Sequence, residues 1–144
     1  MPRAKQCRLT STCDALEAAA RVITPDPLLP VSGGMGAPRP AREKRGEITA
    51  RAVVVRKGEV TVAVVALDLL GFPSVLGDRV RAKVDRIPSK NILIGSTHTH
   101  SAPDCYAFPD GQGGHTGTSL GERTGEILIE TLLEFVNRSP APDR

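Results

Sequence analysis

Two runs rich in β-branched residues, separated by a single glycine turn, constrain the fold of this chain more than any other feature. The runs are ITARAVVVR (48–56) and EVTVAVVALD (59–68). Between them, Lys57 and Gly58 predict a two-residue turn, because glycine readily adopts the positive φ that tight hairpins require. The second run is apolar on both faces, which is typical of a central strand that is covered on each side. The sequence therefore predicts a β-hairpin.

An amphipathic helix and a short strand follow the hairpin. Ser74 is placed to cap the helix and Pro88 to end it. The apolar residues that recur between them at helical spacing are Leu76, Val80, Val84 and Ile87. The segment NILIGS (91–96) then predicts a short buried strand. Strand, helix and strand in this order form a βαβ unit with parallel strands and a right-handed crossover. The predicted fold class is α/β, with a mixed sheet that contains the hairpin and the βαβ unit.

Both ends of the chain are less regular. Five prolines and four glycines lie within residues 21–47, and they limit that stretch to a short strand at 20–24. Residues 14–20 favour a short helical turn. Near the C-terminus, Ser119 and Glu122 have the spacing of a capping box, so a helix is expected to begin there.

Composition excludes several classes of function. Aromatic residues make up 3% of the chain and tryptophan is absent, so base-stacking nucleic-acid modules are not expected. The net charge of +3 comes largely from a loop at 39–45, which is typical of a solvated loop, although it leaves contact with an anionic membrane surface open. No run is long and apolar enough for a transmembrane span, and the N-terminus lacks the apolar region of a secretory signal. The compartment stays undetermined.

The stretch STHTHSAPD (96–104) contains two of the three histidines in the chain. Residues two apart in an extended strand point to the same side, with Cα atoms roughly 6.5 Å apart. His98 and His100 can therefore present both imidazoles to one cavity, and neutral imidazole is a good zinc ligand. The alternative interpretation is a pair of strand-end histidines bonded to backbone or water.

A carboxylate and a third histidine are candidates to join this pair. Parallel strands end at one edge of a sheet, so Asp68 is expected to share a cleft with the histidines, either as a catalytic residue or as a strand cap. His115 could complete a three-histidine site, although a loop histidine between glycines is more often exposed. The segment SGGMG (32–36) lacks the lysine of a phosphate loop, so nucleotide binding is not expected.

Three segments of the chain, in order, resemble the opening of the neutral/alkaline non-lysosomal ceramidases. They are ARVITPDPLLPVSGG (20–34), ITARAVVVRKGEVTVAVVALDLLG (48–71) and NILIGSTHTHSAPD (91–104). The last contains the T-H-T-H-S-G/A-P motif of that family, with Ala102 where many members have glycine. The resemblance divides the chain into a poorly defined segment 1–19, a ceramidase-like N-terminal catalytic segment 20–117 and a divergent helix and tail 118–144.

Members of this family are zinc amidases that cleave the N-acyl bond of ceramide. The resemblance implies that His98 is a zinc ligand and that His100 lines the site near the metal-bound water or the substrate, as a catalytic proton carrier or oxyanion donor. It implies zinc as the cofactor, and ceramide or a related N-acyl lipid as the substrate.

The family's catalytic domain is several times longer than this chain, and its remaining zinc ligands have no matching position here. The expected protein is therefore an incomplete portion of a larger α/β catalytic domain. The alternative is a non-catalytic α/β remnant that binds metal weakly or not at all.

Overall fold

The computed structural model describes residues 12–34, 39–106 and 118–138. They form a four-stranded mixed sheet with two helices packed on one face, which confirms the predicted α/β class. The strands are β1 (Ala15–Val22), β2 (Thr49–Lys57), β3 (Val60–Leu67) and β4 (Ile92–Ser96). The helices are α1 (Ser74–Lys83) and α2 (Thr118–Arg138), and a short 3₁₀ turn at Ser89–Asn91 leads into β4.

The predicted hairpin is present as β2 and β3, which pair antiparallel. Lys57 lies opposite Val60, so the two-residue loop is Gly58-Glu59, one position later than predicted. Gly58 has a φ of +55°, the left-handed conformation that a tight hairpin loop demands and that glycine adopts without steric cost. Its amide also donates a hydrogen bond to the Asp14 carboxylate at 2.6 Å, which joins the loop to the start of β1.

The predicted βαβ unit is confirmed by β3, α1 and β4. Strands β3 and β4 are parallel, with Leu67 opposite Ser96. The amide of Thr97 donates to the carbonyl of Leu67 at 2.9 Å, so the ladder continues one step beyond β4. Helix α1 is shorter than predicted: it ends at Lys83, and Ser74 is its first residue without donating or accepting a capping hydrogen bond. The expected apolar residues beyond Lys83 are still buried, in the turn that follows the helix.

Strand β1 corrects the prediction for the N-terminal part of the chain. The expected helical turn at 14–20 is wrong, because β1 pairs antiparallel with β2 along its whole length, from Ala15 opposite Arg56 to Val22 opposite Thr49. Pairing with a long neighbouring strand outweighs the helical propensity of an alanine-rich segment. The boundary predicted between residues 19 and 20 falls inside this strand.

The hydrophobic core lies between one face of the sheet and the two helices. It contains alternate residues of each central strand together with the inward side chains of α2, of which Leu128 and Leu132 are fully buried. The opposite face of the sheet is open among the described residues. Strand β3 was expected to be covered on both sides, yet Val65 is 2% exposed whereas Val64, its neighbour, is 45% exposed. An uncovered apolar face is consistent with an incomplete portion of a larger domain.

Within the described residues, neither helix has the length and apolar character needed to cross a lipid bilayer. Helix α2 is the longer of the two, and its charged residues interrupt every long apolar stretch.

Candidate functional site at the carboxyl edge of the sheet

The carboxyl ends of β3 and β4 lie beside a cavity of about 700 Å³. Asp68 directly follows β3, and Thr97, Thr99 and His100 follow β4; all four line the cavity. Loops from residues 24–31 and 39–48 form the remaining walls. A volume of this size is within the usual range for small-molecule sites, which commonly lie at this edge of α/β sheets. His98 is not among the lining residues.

His98 is held by a short hydrogen bond to the backbone of the β3–α1 connection. Its Nδ1 lies 2.7 Å from the carbonyl oxygen of Leu70. A carbonyl oxygen only accepts, so Nδ1 carries the proton and donates it, and in the neutral ring Nε2 therefore has a free lone pair. The side chain is exposed. This is the arrangement in which metal-bound histidines are usually oriented, with one ring nitrogen on a backbone carbonyl and the other on the metal.

The backbone of His98 is also unusual. Its φ is +60°, and in the described part of the chain no other residue except glycine has a positive φ. Histidine is one of the few residue types enriched in the left-handed region. Such conformations cost about 1–3 kcal/mol and persist where the surroundings fix them, often at functional sites. The turn immediately after β4 is therefore set in one geometry that aims the imidazole at Leu70.

The two histidines of the motif lie side by side. Their ring centroids are 5.2 Å apart and the rings are nearly perpendicular, with an interplanar angle of 73°. The prediction placed both imidazoles in one cavity on the assumption of an extended strand, but β4 ends at Ser96 and His98 has a φ of +60°. His100 lines the cavity, whereas His98 faces the Leu70 carbonyl next to it.

A glycine that the sequence interpretation did not assign to the site positions His100. The amide of Ser32 donates to the carbonyl of Ala102 at 3.0 Å, and Val31 bridges to Pro103. These contacts bring Gly33 against the imidazole: a Cβ at this position would lie 2.7 Å from Cγ of His100. Gly33 also has a φ of +98°. The glycine-rich stretch was a usable signal, but it was compared only with phosphate loops.

Asp68 links the ends of β2 and β3. Its Oδ2 accepts hydrogen bonds from the Thr49 amide at 3.0 Å and the Thr49 hydroxyl at 2.7 Å, and Arg51 contacts the same carboxylate at 3.1 Å. Burial raises the pKa of Asp68, but the hydrogen bonds from Thr49 and the Arg51 guanidinium outweigh it, so the pKa is lowered overall. The carboxylate is thus ionised and engaged at the cavity wall.

Two of the four cationic residues in the basic loop at 39–45 are paired with acidic neighbours. Lys44 forms an ion pair with Glu47, and Arg45 contacts Glu43 at 3.2 Å. Hydrogen bonds from Lys44 and Thr24 hold the pKa of Glu47 below its ordinary value. The loop is exposed, as predicted, and its paired charges form one rim of the cavity.

The chain that follows the histidines, from Ala102 to Cys105, is buried. Asp104 is 1% exposed, and its carboxylate accepts a hydrogen bond from the Tyr106 amide at 2.7 Å. Burial, followed by the charge of Asp104, raises the pKa of the Cys105 thiol to about 12. A protonated and buried thiol is a poor nucleophile, so Cys105 is not a candidate catalytic residue. The ring of Tyr106 packs against Gly71, next to the carbonyl that His98 contacts.

The donor set fits a metal ion in part. His98 and His100 are neutral-imidazole donors at compatible spacing, and His98 has its tautomer fixed for coordination through Nε2. Among residues 12–34, 39–106 and 118–138, however, no cluster of three histidine, cysteine, aspartate or glutamate side chains is positioned to hold a metal. His115, the third histidine considered from the sequence, lies outside the described residues.

Comparisons of the chain with protein-family models, with curated proteins and with solved structures return no match. The case for a function therefore rests on the motifs and on the geometry of the carboxyl edge.

Proposed function

We propose that this chain carries the N-terminal part of a zinc-dependent amidohydrolase of the ceramidase type, which hydrolyses the N-acyl bond of ceramide or a related N-acyl lipid. The observation that carries the proposal is the hydrogen bond from His98 Nδ1 to the Leu70 carbonyl. It leaves Nε2 of an exposed and rigidly placed imidazole available at the carboxyl edge of a parallel strand pair. The ordered motifs of the sequence supply the reaction class.

His98 is the residue that would hold zinc. Zinc bound there would supply a positive charge that polarises an amide carbonyl and makes a water molecule easier to ionise. Catalytic zinc sites use three protein ligands, and the described residues provide at most the two histidines. The complete site therefore needs ligands from outside the described residues, which agrees with the expectation that the chain is part of a larger catalytic domain.

His100 is proposed as the proton carrier. Its ring lines the cavity and lies 5.2 Å from the ring of His98. Amide hydrolysis requires a proton to be removed from water and one to be given to the leaving amine, and an imidazole can accept the first and donate the second. Gly33 limits how far this ring can move toward the 31–34 loop.

Asp68 is proposed to position the site by joining the end of β3 to the start of β2. Its carboxylate accepts a hydrogen bond from Thr49 and forms an ion pair with Arg51 at the wall of the cavity. Its lowered pKa keeps it ionised at neutral pH. The ionised carboxylate joins the ends of β2 and β3 beside His100 and so fixes this wall of the cavity.

The lining of the cavity supports an amphipathic substrate. The loop at 24–31 contributes apolar side chains, among them Leu28, Leu29 and Val31. The carboxyl edge and the 39–48 loop contribute most of the polar and charged groups. An N-acyl lipid has the same division, with an amide between a polar head and an aliphatic chain.

The second candidate is the non-catalytic remnant. The observation that favours it is the same ligand count, since no three suitable side chains converge within the described residues. A strand-end histidine bonded to a backbone carbonyl is also what that interpretation predicts for His98. The two candidates differ in whether the histidine pair binds zinc.

Zinc binding and amide hydrolysis test the proposal. Isothermal titration of the purified chain with zinc should show one site per chain, and His98→Ala should weaken the affinity at least tenfold, because one of two imidazole donors is removed. Release of a fluorescent fatty acid from labelled ceramide is measured on the same samples, with and without zinc.

His115→Ala is the matched control, because it removes a histidine that the proposal does not use. Equal zinc affinity in the wild type and in His98→Ala would exclude His98 as a ligand. A folded chain that does not bind zinc would favour the remnant. Absence of fatty-acid release alone would not, because the complete site needs ligands from outside the described residues. A loss of zinc affinity in His115→Ala would instead favour the three-histidine site.

A further inference from the structure

The cavity at the carboxyl edge has one positive charge that its described surroundings do not neutralise. Its lining contains three carboxylates, and each of them is already in an ion pair: Glu43 with Arg45, Glu47 with Lys44, and Asp68 with Arg51. Arg39 also lines the cavity and is exposed. Within residues 12–34, 39–106 and 118–138, its guanidinium forms no ion pair. The charge of Arg39 is therefore available to a ligand.

The backbone of Arg39 is fixed in place by Val31. The Arg39 amide donates to the Val31 carbonyl at 3.1 Å, and the Val31 amide donates to the Arg39 carbonyl at 2.9 Å. On the other side of this segment, the amide of Ser32 donates to the carbonyl of Ala102 at 3.0 Å. Val31 therefore lies between Arg39 and Pro103, and it forms a bridge with each. Residues directly opposite one another on paired chains share a face, and all three of these residues line the cavity.

The segment that holds Arg39 also contacts His100. Gly33 lies two residues beyond Val31, and a Cβ there would be 2.7 Å from Cγ of the imidazole. Two residues of backbone span at most roughly 7 Å. The guanidinium and the proposed proton carrier are thus held by neighbouring positions of one short segment, and a single small molecule in the cavity can contact both.

The carboxyl edge adds neutral hydrogen-bond donors to the same cavity. The hydroxyl residues of its lining there are Thr97, Thr99 and Ser101. The Thr99 hydroxyl oxygen accepts a hydrogen bond from the Ser101 amide at 3.2 Å, and its proton is then available for donation. A guanidinium together with hydroxyl donors, without an unpaired carboxylate to compete, suits a carboxylate or phosphate group.

We infer that Arg39 binds an acidic head group of the substrate, a carboxylate or a phosphate, while the amide bond lies at His100. The inference rests on the proposed function, and it narrows the substrate class to N-acyl amino acids and N-acyl aminoalkyl phosphates. The acyl chain contacts the apolar side chains of the lining, such as Leu28 and Leu29. A neutral head group would leave the guanidinium without a partner, so neutral N-acyl lipids bind less tightly.

The binding of three amides with the same acyl chain tests this inference. N-dodecanoylglycine carries a carboxylate, O-phospho-N-dodecanoylethanolamine carries a phosphate, and N-dodecanoylethanolamine is neutral. Isothermal titration uses the full chain in EDTA, with each amide below its micelle-forming concentration, so that binding is measured without zinc and without hydrolysis. At least one anionic amide should bind about tenfold more tightly than the neutral one, and added salt should reduce this preference. The anion that binds more tightly identifies the head group.

Arg39→Gln should abolish the preference, because it removes the charge and keeps a polar side chain. Arg42→Gln is the matched control: Arg42 is an exposed cation of the same loop that does not line the cavity, and this variant should keep the preference. Circular dichroism of each variant verifies folding. If Arg39→Gln does not fold, Arg39→Lys replaces it and should weaken anion binding several-fold, because lysine lacks the bidentate fork.

Equal binding of the charged and neutral amides would overturn the inference, and so would the absence of binding by all three. A preference that survives Arg39→Gln, or that falls equally in Arg42→Gln, would also overturn it, because the attraction would then come from the loop as a whole. A chain that binds the anionic amides through Arg39 but does not bind zinc would overturn the proposed hydrolysis and leave the head-group site standing.

Discussion

The two faces of the sheet are built from similar residues but have different surroundings. On β3, Ala63, Val65 and Leu67 are buried beneath the helices, whereas Val62 and Val64, which alternate with them, are exposed. The amino-acid types are nearly the same on both sides. The difference teaches that apolar character alone does not decide which face of a strand is covered, because coverage depends on where the crossover helices pack.

The open face itself changes character along the strands. Toward the carboxyl edge, the apolar row of Ala18, Val53, Val64 and Leu93 is followed by a row with Arg51. The next row contains Thr49, Asp68 and Thr97. The candidate site begins at this polar end. The comparison therefore predicts that substitutions on the covered face lower the free energy of unfolding most. Among exposed residues, those at the carboxyl edge are predicted to have the largest effects on stability.

The largest effect is expected for a matched pair of leucine truncations. Leu67→Ala on the covered face should lower the free energy of unfolding by about 2–5 kcal/mol, because Leu67 is fully buried and its removal leaves a cavity. Leu93→Ala on the open face should cost less than about 1 kcal/mol. Urea denaturation measures both values. Equal costs would mean that the two faces are equally covered in solution.

An intermediate effect is expected for Gly33→Ala at the carboxyl edge. The new Cβ would meet the His100 ring and would stand on a backbone with a φ of +98°, so a cost of about 1–3 kcal/mol is expected. The His100 imidazole should also move, which NMR resonances of its ring protons would report.

Gly34→Ala serves as the control for that substitution, because a Cβ there would meet no atom within 4 Å. Unchanged His100 resonances in Gly33→Ala would contradict the packing of the imidazole on Gly33.

The smallest effect is expected for Asp68→Asn, and it depends on pH. The pKa of Asp68 is lowered in the folded chain, so its contribution to stability is present above the unfolded value of 3.8 and is lost as the pH falls through the folded pKa. At pH 7 the substitution should cost about 1 kcal/mol, typical of a lost charge-assisted contact.

Urea denaturation of the wild type and of Asp68→Asn between pH 7 and pH 2 should show the two curves converging in acid. A difference that stays constant across this range would mean that the Asp68 charge does not contribute.

Local patterns predicted the hairpin, the βαβ unit and α2, because strand alternation, helical periodicity and turn chemistry are properties of neighbouring residues. The same patterns failed for β1. An alanine-rich segment such as 15–22 has helical propensity, and only pairing with β2, which is distant in sequence, makes it a strand. The end of α1 was missed for a related reason, since Val84 and Ile87 keep the expected burial while the backbone leaves the helix at Lys83.

For the candidate site, the sequence by itself determined the histidine pair and the position of Asp68 at the strand ends, because both follow from the order of the elements. Tertiary structure alone decided the contacts of His98 with Leu70 and of His100 with Gly33. It also decided which face of the sheet stays open. These features join residues far apart in sequence, and no local pattern specifies where distant segments pack.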